Sequence, residues 1–224
     1  MTSTTSHKIK SIIKYNQNLN SDNSLNLYLD PRLDAAYDLI VSNLPSNHNQ
    51  LTLTDIGSGA GLFSFLLYPY WKHITSIEPN STLYNLQRNL IETNQLENVQ
   101  LIKDQLPNCL GAVNSDVILL VMSLYLTNDW LNNFKSLIGK NVSHFFIVDG
   151  PDKDISSWCS NDWKTPAESI TNRKPMLEGV AWELVDAANE LGFVCNVYDI
   201  ESKKKIDVNS NCADWLIIGN KNGC

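Results

Sequence analysis

The chain has 224 residues, is 43% hydrophobic and carries a formal net charge of -7, which suits one sizeable core and leaves too little for two comfortable domains. Its acidic balance, with Lys203, Lys204 and Lys205 as the one basic run, argues against a nucleic-acid or anionic-membrane partner, and the triplet reads as a solvated loop. The apolar runs are far below spanning length and the first residues lack a signal-peptide core, so a soluble cytoplasmic protein with no membrane partner is expected. Five cysteines, Cys109, Cys159, Cys195, Cys212 and Cys224, are scattered without a C-x-x-C pair or a nearby histidine, so no metal site is expected.

Tyr15 to Leu29 show no firm period, and residues 1–30 are expected to form an N-terminal arm or lid; residues 31–224 are expected to form one domain. Pro31 suits a first helical turn, and Leu33, Ala36, Tyr37, Ile40 and Leu44 recur at helical spacing. Leu51 to Ile56 is a β-type run, Gly57 to Gly61 a turn, and Leu62 to Leu67 a helix that Pro69 helps to end. The pattern repeats: His73 to Ile77 as a strand ending at Glu78, then a helix with Leu83, Leu86, Leu90 and Ile91 on one face. Val99 to Lys103 makes a third strand with Asp104 at its end, and "SDVILLVMSLYL" a fourth, continuous and apolar as strands buried on both faces are.

Thr127 or Asn128 is placed to cap a helix through Leu137, and "SHFFIVDG" is a fifth strand. Pro175 opens a helix with Leu177, Ala181, Leu184, Val185, Ala188 and Leu191 on one face and Gly192 as its stop. Phe193 to Ile200 and Trp215 to Ile218 have no crossover helix between them, so they should pair antiparallel. The expected fold is α/β: a doubly wound, seven-stranded, mostly parallel sheet with an antiparallel C-terminal strand and helices on both faces.

The turn "DIGSGAG" decides between nucleotide classes. A dinucleotide fingerprint needs a third glycine at position 62, where Leu62 stands; here it comes one residue early, at Gly61. A P-loop is excluded because no G-K-[ST] follows. The competing structural reading is a tight packing turn with no ligand.

"DIGSGAG" resembles motif I, [DE]-x-G-x-G-x-G, of class I S-adenosylmethionine-dependent methyltransferases, and the resemblance runs from about Leu51 to Ile218. It implies S-adenosylmethionine as cofactor. The implied cofactor-binding set is Asp55, Gly57, Ser58, Gly59, Gly61, Glu78, Pro79, Asp104, Gln105 and Met122. The physical case for several of these stands beside the resemblance. Gly57 and Gly59 let the backbone turn and approach a ligand; Glu78 has paired oxygens for a ribose diol; Asp104, helped by Gln105, is placed for an adenine amine. The resemblance further implies that backbone at Gly57 and Met122 receives the methionine moiety, and that Asp55 organises the loop near its ammonium group.

The donor is already activated, so alignment supplies much of the acceleration and a general base is optional. His73 and His144 begin strands, at the wrong edge for catalysis, while His7 and His48 fall in the arm and a loop. Tyr125 and Asp149, after the fourth and fifth strands, are the candidate catalytic groups, with Asp152 just beyond. Tyr125 reads equally as a structural aromatic and Asp149 as a cap of the next turn. "LVMSLYL" lacks the [DNS]-P-P-[YF] of enzymes acting on adenine or glutamine, and Ser123 with "DGP" lacks the acids of the magnesium-dependent catechol type. It resembles small-molecule methyltransferases such as the quinone-biosynthesis group, in which a histidine often stands at or near Tyr125. The segment 151–175 reads as a substrate-side insertion. Trp158 and Trp163 form either an aromatic pocket or structural anchors, with Tyr15 and Tyr28 closing over the same edge. A small-molecule acceptor is thus expected, with a non-catalytic adenosyl-binding regulatory or scaffold protein as the alternative. Oligomeric state is not encoded in any of these features.

Overall fold

The computed structural model describes residues 31–124, 127, 129–149, 180–207 and 214–221. The arm expected over 1–30, the insertion 151–175, Pro175 and Leu177 lie outside the described residues. The strands are β1 (Thr52–Ile56), β2 (His73–Ile77), β3 (Val99–Ile102), β4 (Val117–Val121), β5 (His144–Asp149), β6 (Phe193–Asp199), β7 (Lys204–Ile206) and β8 (Trp215–Lys221). Helices α1 (Pro31–Ser42), α2 (Leu62–Leu67), α3 (Ser81–Asn94), α4 (Trp130–Ile138) and α5 (Val180–Glu190) pack around them.

All eight strands join one sheet in the order β3-β2-β1-β4-β5-β8-β6-β7. β1 to β5 are mutually parallel, and β8 inserts antiparallel between β5 and β6. The alternation of side chains sorts the core into two layers. Leu53, Ile74, Val117, Leu119, Phe146 and Val148 face α1 and α2. Ile56, Ile77, Ile118, Leu120, Phe145 and Ile147 face α4 and α5.

Two expectations are corrected. The sheet has an eighth strand: after β6 the chain reverses through Lys203, at φ 56°, and Lys204–Ile206 pairs antiparallel with β6. The lysine run is therefore partly an edge strand, exposed at Lys204 and Lys205, which suits an edge because solvated lysines deter further pairing. Three residues without apolar alternation carry no strand signal. The second correction is the start of α4: its N-cap is Asp129, while the Thr127 hydroxyl donates to Leu124 O at 2.9 Å, and Asn128 lies outside the described residues. Asp129 makes no side-chain cap bond; its carboxylate accepts instead from Asn132 Nδ2.

The amino edge of the sheet is held by Asp116, whose Oδ2 accepts from both Thr52 N and Thr52 Oγ1 at 2.8 Å, tying β1 to β4. His73 and His144 open their strands at this edge. Among the described residues no helix is long and apolar enough to cross a membrane. Burial raises the thiol pKa of Cys109 to about 11 and of Cys195 to about 12, so neither is a thiolate near neutrality.

Candidate functional site

The parallel strands direct their carboxyl ends to one edge, where an open α/β sheet binds its ligands. The turn from β1 to α2 lies there. Gly57, Gly59 and Gly61 have φ of 70°, 60° and 84°, a region that side chains with a Cβ rarely occupy. Each glycine has its own surroundings. A Cβ at Gly57 would collide with Ser123 Cβ after β4, and one at Gly61 would come within 2.6 Å of Phe65 Cε2. A Cβ at Gly59 would meet no atom within 4 Å. Gly59 thus faces open space, while its two neighbours face packed side chains.

Glu78, directly after β2, reaches across to this turn. It is 4% exposed, and its carboxylate accepts from Gly59 N at 2.8 Å and Asn80 N at 2.7 Å. Burial raises its pKa to about 7 against these two backbone bonds, and the nearby Asp55 charge adds to the rise. Pro79 follows and is exposed. Asn80 then caps α3, accepting from Thr82 N and Leu83 N.

Asp55 is 1% exposed and lies beneath the turn rather than lining it. It accepts from Ser64 Oγ on α2 at 2.7 Å, and burial raises its pKa to about 6. Ser76, its register partner on β2, lies 3.2 Å from Ser64 Oγ and 2.7 Å from Ser58 Oγ. Gln87 of α3 completes the group: Ser76 Oγ donates to its Oε1 at 2.7 Å, and its Nε2 donates to Ser58 Oγ at 2.8 Å and Gly59 O at 2.6 Å. Ser64, Ser76 and Gln87 are each fully buried.

The pattern carried a signal for these three that the motif does not contain. Gln87 interrupts the apolar face of α3 between Leu83 and Leu90, Ser64 interrupts "LFSFLL", and Ser76 sits inside "HITSI". A polar side chain at a core position needs a partner.

Further along the edge, Met122 follows β4 with φ 50°, and its N–H donates to Val148 O at 2.8 Å. Asp149 ends β5 at 2% exposure, opposite Trp215 in register. Asp104 follows β3, half-buried, and accepts from the N–H of the exposed Gln105 at 2.8 Å. Glu78 and Gly59 are in direct contact, as are Ser58 and Gln87. Tyr125, Tyr15, Tyr28, Trp158 and Trp163 lie outside the described residues.

Strand order, crossovers and the glycine turn together define a Rossmann-like α/β domain with an antiparallel hairpin at one edge. No protein-family model matches the chain, and no curated protein sequence does. Solved structures do share its fold. A precorrin-6y C5,15-methyltransferase from Geobacter metallireducens superposes with a TM-score of 0.54 at 14% identity, over 85% of this chain and 87% of that one. A SAM-dependent methyltransferase from Aquifex aeolicus gives 0.54 at 16% identity, over 85% and 93%. A SAM-dependent methyltransferase from Thermotoga maritima, described as a possible histamine N-methyltransferase, gives 0.53 at 15% identity, over 84% and 88%.

Proposed function

We propose that the chain is an S-adenosylmethionine-dependent methyltransferase acting on a small-molecule acceptor by in-line methyl transfer. The observation that carries the reading is Gly59: its Cβ side is open, its neighbours are packed, and its N–H holds the buried carboxylate of Glu78. That arrangement fits an uncharged ribose beside a close backbone approach. It contains neither the lysine of a P-loop nor the third glycine of a dinucleotide turn. The fold shared with methyltransferases supports the same reading.

The cofactor supplies an activated methyl group on a sulfonium. The chain's own residues bind and align. Glu78 receives the ribose hydroxyls, using the lone pairs that its two backbone donors leave open. Pro79 and Asn80 set the course of the chain after it. Asp104 and Gln105 take the adenine amine, while the backbone at Gly57, Ser58, Gly59, Gly61 and Met122 lines the methionine side. Asp55 acts from below by holding Ser64. Asp149, at the carboxyl end of β5, is the candidate proton acceptor among the described residues, with Tyr125 the further candidate from the sequence. For the acceptor, the sequence offers Tyr15 and Tyr28 of the arm 1–30 and Trp158 and Trp163 of 151–175, all outside the described residues.

The test is incubation of the full chain with methyl-labelled S-adenosylmethionine and a fractionated cell extract. Label is expected in the small-molecule fraction. Label in RNA or protein would overturn the small-molecule acceptor. Cofactor binding with no transfer to any fraction would replace catalysis by the non-catalytic adenosyl-binding role.

A further inference from the structure

The cofactor motif leaves Gln87 unexplained. Two of its contacts, Ser58 and Gly59, are in the glycine turn, 29 and 28 residues away in sequence. The side chain is fully buried, and the partners leave one orientation of its amide. Gly59 O is a carbonyl and only accepts, so Nε2 must face it, which turns Oε1 to the Ser76 hydroxyl. Gly59 is thereby gripped at both ends: its N–H by Glu78 at 2.8 Å and its C=O by Gln87 at 2.6 Å.

We infer that Gln87 is a positioning residue that orients the peptide between Gly59 and Ala60, so that the turn offers the amino-acid tail of the cofactor the Ala60 N–H and not the Gly59 carbonyl oxygen. The inference rests on the reading of the turn as an adenosyl-cofactor cradle. Its logic is that of a planar trans peptide: with the Gly59 carbonyl drawn inward to Gln87, the Ala60 N–H points the opposite way. Glycine at φ 60° has no Cβ to hold that plane. Without Gln87 the peptide is free to rotate, and a carbonyl turned outward would repel the carboxylate of the tail. A residue whose role was only packing would affect every ligand of the site alike. Gln87 acts on the tail alone, because the ribose is held by Glu78, which keeps its second donor from Asn80 N.

The discriminating probes are S-adenosylhomocysteine, which carries the amino-acid tail, and 5′-methylthioadenosine, which keeps the nucleoside and thioether without it. Calorimetry on the full chain is expected to show Gln87→Met binding S-adenosylhomocysteine about tenfold more weakly than wild type, the loss that about one charge-assisted hydrogen bond represents. Methylthioadenosine affinity is expected to stay within about twofold of wild type. A tail-dependent increment unchanged in Gln87→Met overturns the inference.

Gln87→Glu keeps it testable if the methionine variant does not fold. A protonated acid still donates to Gly59 O, and a carboxylate does not. Its affinity for S-adenosylhomocysteine, taken as a ratio to wild type at the same pH, is expected to be near wild type at pH 5.5 and to fall by pH 8. Asp55 on β1 and Glu78 after β2 face the same turn and titrate in both proteins, so 5′-methylthioadenosine measured at the same two pH values reports their share. A ratio that falls equally for S-adenosylhomocysteine and 5′-methylthioadenosine, or falls for neither, overturns the inference. Failure of wild type to bind either nucleoside removes the underlying reading and the inference with it, a result distinct from wild-type binding that the variants retain.

Discussion

The two halves of the sheet are built on different chemistry. Along the middles of β4, β5 and β8 the buried side chains are carbon: Ile118 to Leu120, Phe145 to Val148 and Leu216 to Ile218 are all buried, with Phe145 set edge-on to Phe134 at 5.2 Å. Around β1 and β2 the buried set includes Thr54, Asp55, Ser64, Ser76, Glu78 and Gln87. Apolar packing is non-directional and tolerates small shifts, whereas a buried polar group stabilises only when its partners are in place. The sheet therefore uses carbon where it needs cohesion and a satisfied polar group where a turn must hold one conformation.

Breaking the apolar half should have the largest effect on stability and the least on binding. Phe145→Ala leaves a hole between Phe134 and Phe193, and is expected to lower unfolding free energy by about 3–5 kcal/mol. Chemical denaturation measures that loss, and calorimetry at a temperature where the variant is folded should find S-adenosylhomocysteine affinity unchanged within about twofold.

The polar half should show itself through pH. The pKa of Glu78 is raised from 4.5 to about 7 on folding, so the folded state favours the proton. Its stabilising contribution is full below pH 4.5 and is lost as pH rises through 7, a change of the order of 3 kcal/mol. Asp55, raised from 3.8 to about 6, adds a step of the same sign at lower pH. Denaturation curves from pH 4 to 8 should thus show stability falling with pH. Glu78→Gln should abolish the upper part of that fall and leave the lower.

The smallest effect belongs to neither half. Lys203 pairs with Asp38 at 2.7 Å, but the two side chains are 46% and 62% exposed. Lys203→Ala is expected to change stability by less than about 0.5 kcal/mol, as read from the same denaturation curves. A larger loss would mean that the edge hairpin of β6 and β7 depends on the pair.

Legibility in the sequence divided along the same line. The apolar half was plain from "VILLV" and "HFFIVD", continuous runs whose meaning needs no partner. β2 was also plain, and the antiparallel pairing of β6 with β8 followed from the missing crossover. The cradle was visible through its glycines and the acid that ends β2, because these are local to a turn and a strand end. The network beneath it was not. That Gln87 reaches Gly59, or that Ser76 faces Ser58, depends on how α3 lies over the turn, and sequence spacing gives only the anomaly of a polar residue on an apolar face. β7 carries no such signal, because its two exposed lysines alternate with no apolar residue.

An adenosyl cofactor held by the turn at Gly59, with Glu78 beside it, would be displaced by a bulky side chain at that glycine. Gly59→Arg is the decisive variant, since a Cβ there meets no atom within 4 Å, and a paired melt reads the backbone strain of a side chain at φ 60°. Calorimetry with S-adenosylhomocysteine, paired with a thermal melt, should show saturable binding by wild type. It should show none by a Gly59→Arg variant that remains folded. Equal binding by the two proteins, or no binding by wild type, would mean that the turn holds no adenosyl cofactor.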